Sequence, residues 1–123
     1  MDLSPGIEIV WSLAGKEAQI AQMKEIEPEH LFCAVLAFSQ MQSAEVMLLE
    51  APMAYKYALI EEIGLVRKSL EEEKINPAQV CEDIRRTLGK GSFPYQGGAV
   101  HRSAATRQIF NRASTFSNSS RDF

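Results

Sequence analysis

One apolar segment dominates this sequence: Glu27-Pro28-Glu29-His30-Leu31-Phe32-Cys33-Ala34-Val35-Leu36-Ala37-Phe38. Its proline stands at a first helical position, where the missing N–H group leaves no hydrogen bond unmade. The residues that follow are apolar on nearly every face, which is not the pattern of a surface helix. We therefore expect a central helix with Leu31, Val35 and Leu36 in its core and with amphipathic helices packed around it.

The totals describe one globular domain. A chain of 123 residues suits a single core, and 46% apolar with 24% charged residues is near the average for soluble domains. No run approaches the roughly 18 apolar residues that span a bilayer, and the first residues lack the basic and apolar regions of an export signal. We expect a cytoplasmic protein with no membrane partner. The net charge of −3 argues against nucleic acid as the main partner.

Hydrophobic periodicity predicts two helices followed by a loop in the N-terminal half of the chain. The first helix covers residues 5–24 and has one apolar face, with Glu17 expected to face water. The second helix is the dominant segment itself. Residues 39–52 then form a loop that carries one short helix, for which Ser43 is a possible N-cap and which Pro52 ends.

Two further helices follow before the first glycine-rich stretch. A long amphipathic helix begins near residue 54, and Asn76-Pro77 then supplies the N-cap and first turn of another helix that ends at Gly89. The apolar stripe of the long helix consists of Leu59, Ile63, Val66 and Leu70. We therefore expect a compact, all-α helical bundle.

A weak internal repeat connects the two ends of the chain. Residues 89–101 are rich in glycine and breakers and lack periodicity, so they read as a linker, after which Ser103 caps a fifth helix. The residues Ser4, Val10, Trp11 and Ala14 have the spacing and classes of Ser103, Ile109, Phe110 and Ala113. This predicts one complete four-helix repeat over residues 1–88 and the first helix of a second, truncated repeat over residues 102–123.

Four motifs together resemble the Clp N-terminal repeat. They are Ser4-Pro5-Gly6 before an alanine-rich helix, Glu29-His30-Leu31-Phe32, Ile84-Arg85-Arg86-Thr87-Leu88-Gly89-Lys90-Gly91, and Val100-His101-Arg102-Ser103. The resemblance covers most of the chain except residues 39–60, where the segment is longer than the short turn of the family. It implies an all-α domain in which two four-helix repeats pack with pseudo-twofold symmetry.

The resemblance also implies a function. Such a domain sits on the ATPase ring of a Clp-type AAA+ unfoldase and receives unfolded or tagged substrates, or an adaptor protein, without catalysing a reaction itself. ATP and magnesium are then expected only in ATPase modules outside this sequence. In agreement, Gly89-Lys90-Gly91-Ser92 lacks the spacing of a phosphate-binding loop.

Two other hypotheses stand beside this one. The chain could be a stand-alone scaffold or adaptor that oligomerises through its C-terminal helix, which allows a weak homodimer. It could also hold zinc through His30, Cys33, Cys81 and His101, or use Cys33 as a nucleophile activated by His30. The zinc hypothesis is less favoured, because Cys33 lies in the apolar run, where a free cysteine behaves as a small hydrophobe, and His101 lies in the linker. The nucleophile lacks a third orienting group and an oxyanion site.

Exposed apolar residues are the candidates for protein binding. Phe93 and Tyr95 lie in the linker beside basic residues, where they either contact a peptide or pack back on the helices. Ile109 and Phe110 share a face of the last helix, and Met47 belongs to a methionine cluster in the loop. We expect the face with Phe110 to fold back on the first repeat, with a weaker tendency to dimerise.

Overall fold

The structure is a computed structural model, which describes residues 5–93 and 100–121. Within these ranges the chain is mostly helical, as the periodicity predicts. The helices are α1 (Pro5–Ile20), α2 (Pro28–Ser39), α3 (Ser43–Met47), α4 (Met53–Glu72), α5 (Pro77–Leu88) and α6 (Ala104–Arg121), and two short strands, β1 (Glu25–Ile26) and β2 (His101–Arg102), form a parallel pair. None of the helices in the described ranges is long and apolar enough to cross a membrane.

Helix α2 lies at the centre of the packing, as expected, with α1 on one side, α5 on another and α4 behind. Leu36 and Phe38 are almost fully buried on it, whereas Leu31 and Val35 are half-buried at the edge of the core. Phe32 departs from the expectation of an all-round cover, because 42% of its surface is exposed. The neighbouring helices therefore leave one side of α2 open.

Helix α1 packs against α2 through the small residues of its predicted face, and Ala14 and Ala18 are completely buried. It ends at Ile20 rather than at residue 24. Gln22 adopts a left-handed conformation (φ 54°), and the N–H of Met23 donates to the carbonyl of Ala18 at 2.9 Å. This is the Schellman type of helix end, which terminates α1 one turn early even though no glycine is present.

The segment predicted as a loop with one short helix is confirmed in outline. Helix α3 packs mainly against α4, and its residue Val46 is completely buried in the main core. Its N-cap is Gln42 rather than Ser43, because the Gln42 N–H donates to the Glu45 side chain at 3.0 Å. The stripe of α4 is also confirmed, with Leu59 and Ile63 buried in the main core.

Helix α5 has the predicted boundaries. The side chain of Asn76 accepts from the N–H of Gln79 at 3.1 Å, and Gly89 follows the helix with a positive φ of 78°. One face of α5 covers α2 and forms a second cluster in which Cys33, Leu36 and Cys81 are buried. Both cysteines are free thiols inside this cluster, where they act as small apolar groups.

The predicted linker is more closely attached to the helices than its composition suggests. The N–H of Gly91 donates to the carbonyl of Ala21 at 2.7 Å, and that of Phe93 donates to Gln22 at 2.9 Å. A Cβ at Gly91 would lie 2.4 Å from the Gln22 carbonyl oxygen, so this approach requires glycine. The described part of the linker is therefore fixed against the turn after α1.

The chain returns to the same turn at residue 101. Strand β2 pairs with β1. The carbonyl of Ile26 in β1 then accepts hydrogen bonds from the residues at the start of α6. This carbonyl accepts from the N–H of Ser103 at 3.0 Å and from the hydroxyl of the fully buried Thr106 at 2.8 Å. Ser103 is the N-cap that the sequence predicts, because its hydroxyl accepts from the Thr106 N–H at 3.2 Å.

Candidate functional site

An open groove of about 440 Å³ lies beside the N-terminal end of α2 and along α5. Its wall is mainly apolar and comes from half-buried residues of α5, with exposed carboxylates at its margin. The residues that line it are Glu29, Val80, Asp83, Ile84, Thr87 and Leu88. A surface of this kind suits an apolar side chain of a peptide, and the margin favours a basic neighbour.

The walls of the groove are held by local and long-range contacts. Asp83 accepts from the side chain of Gln79 at 3.0 Å and pairs with Arg86 at 3.5 Å. Arg85, on the opposite side of α5, forms a two-pronged ion pair with Glu17 of α1, in which Nε lies 3.1 Å from the carboxylate. The hydrogen bonds to Glu17 raise the pKa of Arg85. The expectation that Glu17 faces water is therefore wrong, since its side chain is only 14% exposed.

His30 stabilises the start of α2 next to this groove. Its Nδ1 accepts from the N–H of Glu27 at 2.9 Å, so the neutral ring carries its proton on Nε2. The side chain is 3% exposed, and burial lowers the pKa of His30 against the opposing effect of three nearby glutamates. Its role is thus that of a helix-start residue bonded to the backbone, one of the interpretations that the sequence allows.

The four residues considered as zinc ligands do not form a ligand group. Within the described ranges, no three histidine, cysteine or acidic side chains are grouped as a metal would need. The thiol of Cys33 lies 3.8 Å from the carbonyl oxygen of Cys81, and burial raises the pKa of Cys33 to about 12. A thiol with such a pKa is neither a good nucleophile nor a good ligand at neutral pH.

The residues proposed for protein binding do not come together at one place. Met47 (40% exposed) lies at the end of α3, and Phe93 (38% exposed) lies where the backbone is bonded to the turn after α1. Tyr95 lies outside the described residues. Ile109 faces outward, 46% exposed, whereas the adjacent Phe110 is half-buried.

Phe110 instead takes part in an aromatic cluster between α1 and α6. Its ring meets that of Trp11 edge to face, with centroids 5.5 Å apart. The guanidinium of Arg102 lies 3.8 Å from the centroid of Trp11 and 5.4 Å from that of Phe110. The expected fold-back of α6 onto the first helix is therefore present, with Arg102 as an unforeseen third member.

Sequence reasoning missed the groove. Val80, Ile84 and Leu88 form the apolar face of α5, and such a face is ordinarily assigned to the core. No feature of the sequence indicates that α2 covers only part of this apolar face and leaves the rest exposed. Phe32, an aromatic residue on the open side of α2, is the nearest to such a signal.

Comparisons of this chain with protein-family models, with curated proteins and with solved structures find no match.

Proposed function

We propose that this chain is a non-catalytic protein-binding module of the Clp N-terminal type, which captures unfolded segments or an adaptor for an ATPase ring carried outside this sequence. The observation that carries the proposal is the open apolar groove between α2 and α5. Such a groove accepts apolar side chains of many sequences, as a receiver of unfolded chains must.

The aromatic contact supports the family assignment. Trp11 and Phe110 occupy equivalent places in the weak repeat, seven residues after Ser4 and Ser103 respectively. Equivalent residues of two units meet each other when they lie near a twofold axis that relates the units. The contact therefore agrees with a pseudo-twofold arrangement in which both residues lie near the axis. The division into residues 1–88, a linker over 89–101 and a second repeat from 102 belongs to this proposal.

A binding assay with a filled groove tests the proposal. The probe is a fluorescently labelled model protein kept unfolded by reduction and carboxymethylation, and its anisotropy is followed as the chain is added. Thr87→Lys places a long side chain across the groove, where it can reach Asp83 one turn earlier. We expect this substitution to weaken binding about tenfold, because desolvated apolar contacts supply most of the affinity in such sites.

Ala54→Lys is the matched control, since Ala54 is an exposed helical residue of α4 that does not line the groove. It should leave the affinity unchanged. Equal binding by the parent chain and Thr87→Lys would contradict the assignment of the groove. Absence of binding in the parent chain, both to the unfolded probe and to a peptide library, would contradict the proposed function.

The alternative of a scaffold that oligomerises through α6 has less support. Phe110, the largest apolar residue of the predicted contact face, is already packed against Trp11 of the same chain. Ile109 is an exposed neighbour on the described part of α6 that remains open to a second chain.

A further inference from the structure

A second cavity, of about 270 Å³, lies between α1 and the strand that leads into α6. Its polar lining consists of Trp11, Ser12, Lys16, Gln19 and Arg102. Two of these side chains are cationic, and Ser12 and Gln19 offer an O–H and an N–H donor, whereas no carboxylate lines the cavity. In a chain of net charge −3, this is a locally positive cavity rich in donors.

The two cations are not neutralised by the described part of the chain. Among the described residues, neither Lys16 nor Arg102 has an ion pair or a side-chain hydrogen bond, unlike Arg85 and Arg86. Arg102 is nevertheless held in place, because its guanidinium lies on the ring of Trp11 at 3.8 Å. Stacking of this kind uses the face of the guanidinium and leaves the N–H groups at its edge free to bind an anion.

Trp11 adds an unsatisfied donor. Its indole Nε1 is shielded from solvent and has no acceptor among the described residues. A buried donor without an acceptor is costly, and buried polar groups in proteins are normally bonded to protein, water or ligand. The N–H is out of reach of the open cavity, to which Trp11 contributes the wall on which Arg102 lies.

Gly15 leaves open space in the wall of the cavity. It lies in the middle of α1, where glycine is less favourable than alanine, and it forms part of the cavity lining. A Cβ at this position would meet no atom within 4 Å, and the chain here does not have a positive φ. Neither packing nor backbone conformation therefore requires glycine, but a larger side chain would occupy the space of the cavity.

We propose that this cavity binds an oxyanion, either a carboxylate or a phosphate group, between Lys16 and the edge of the Arg102 guanidinium, with the Trp11 ring as one wall. The paired cations supply the charge, and the neutral donors Ser12 and Gln19 orient the oxygen atoms. The cavity of about 270 Å³ has room for a small group beyond the charged end of such a ligand.

Trp11 makes the test direct, because it is the single tryptophan of the chain. Its fluorescence is titrated with N-acetyl-Leu-Ala, with the amide of the same dipeptide and with inorganic phosphate. We expect a saturable change with the free acid or with phosphate and none with the amide. Saturation by the acid assigns the site to carboxylates, and saturation by phosphate alone assigns it to phosphate groups. No change with either anion, or equal binding of acid and amide, would overturn the proposal.

Substitutions then locate the binding event. Lys16→Gln and Arg102→Gln should each weaken binding about tenfold, as expected for loss of a charge-assisted hydrogen bond. Gly15→Leu should fill the cavity and abolish binding. Gly64→Leu is its matched control, since Gly64 is also a mid-helix glycine with no atom within 4 Å of an added Cβ.

Both leucine variants replace a helical glycine by a better helix former, so both should fold. A thermal scan verifies this before titration. The indole N–H signal of Trp11 in a ¹⁵N-correlation spectrum gives a second readout, which should move on saturation in the Gly64→Leu variant and stay in place in Gly15→Leu. Wild-type affinity of Gly15→Leu would refute the location of the site.

Discussion

Arg67 of α4 donates a hydrogen bond from Nε to the carbonyl oxygen of Ser39, the last residue of α2, at 2.9 Å. A second bond runs from Nη2 to the carbonyl of Met41 at 3.0 Å. The carbonyl groups at the end of a helix have no partner within the helix, and this end lies near the core. The planar side chain of Arg67, from a helix distant in sequence, therefore caps the C-terminal end of α2.

Removal of the two Arg67 hydrogen bonds should destabilise the protein. Arg67→Met leaves two carbonyl groups without their donor, and we expect a loss of about 1–3 kcal/mol in the free energy of unfolding. Arg67→Lys should recover only part of it, because an ammonium group cannot reproduce the two-pronged geometry. Urea denaturation followed by circular dichroism measures both values. Lys68→Met, at the next and exposed position, is the control, and an equal loss there would remove the special role of Arg67.

A second prediction compares two leucines. Leu36 is 1% exposed between α2 and α5, whereas Leu48 is 84% exposed after α3. Leu36→Ala should lower the free energy of unfolding by about 2–5 kcal/mol, because it deletes buried apolar surface and leaves a cavity. Leu48→Ala should change it by less than about 0.5 kcal/mol. If Leu36→Ala leaves the unfolding midpoint where it was, the central position of α2 is wrong.

The protein should lose stability as the pH falls below the pKa of a free histidine side chain. Burial lowers the pKa of His30 in the folded chain, so below about pH 6.5 the unfolded chain takes up a proton that the folded chain does not bind. The contribution of His30 is complete above pH 6.5 and is lost as the pH falls toward the lowered value. Thermal melts between pH 7.5 and 5 record the loss.

His30→Asn isolates this effect from that of the carboxylates. An asparagine oxygen can accept the Glu27 N–H in place of Nδ1 but does not titrate. The difference in stability between parent chain and variant should therefore shrink or reverse as the pH falls. A difference that stays constant from pH 7.5 to 5 would show that the pKa of His30 is the same in the folded and the unfolded chain.

A fourth prediction concerns the fold-back of α6. Phe110→Ser removes the edge-to-face contact with Trp11, so the emission of Trp11 should shift to the red and stability should fall by about 1–3 kcal/mol. Ile109→Ser changes the adjacent exposed residue and should leave both quantities unchanged. Light scattering at rising concentration should find a monomer for all three chains. A dimer that Ile109→Ser abolishes would favour the scaffold hypothesis instead.

Much of the helical plan could be predicted before the structure. The N-caps at Asn76 and Ser103 are local signals, and so is the helical spacing of apolar residues on α1 and α4. A helix is stabilised by hydrogen bonds between residues four apart, and its buried face recurs at every third or fourth position. Boundaries were less certain. The left-handed turn at Gln22 ends α1 early, and no glycine announces it.

The sequence alone thus indicated which segments are helical and which faces are apolar, and it favoured a return of α6 to the first repeat over pairing with a second chain. The pairing of Glu17 with Arg85, the place of Arg102 on Trp11 and the β1–β2 pair appear only when the helices are assembled. Each joins residues dozens of positions apart, and their meeting depends on the angles and depths at which helices pack. The same reason applies to the groove and the cationic cavity. Each is a space between elements, and its lining residues come from separate segments of the sequence.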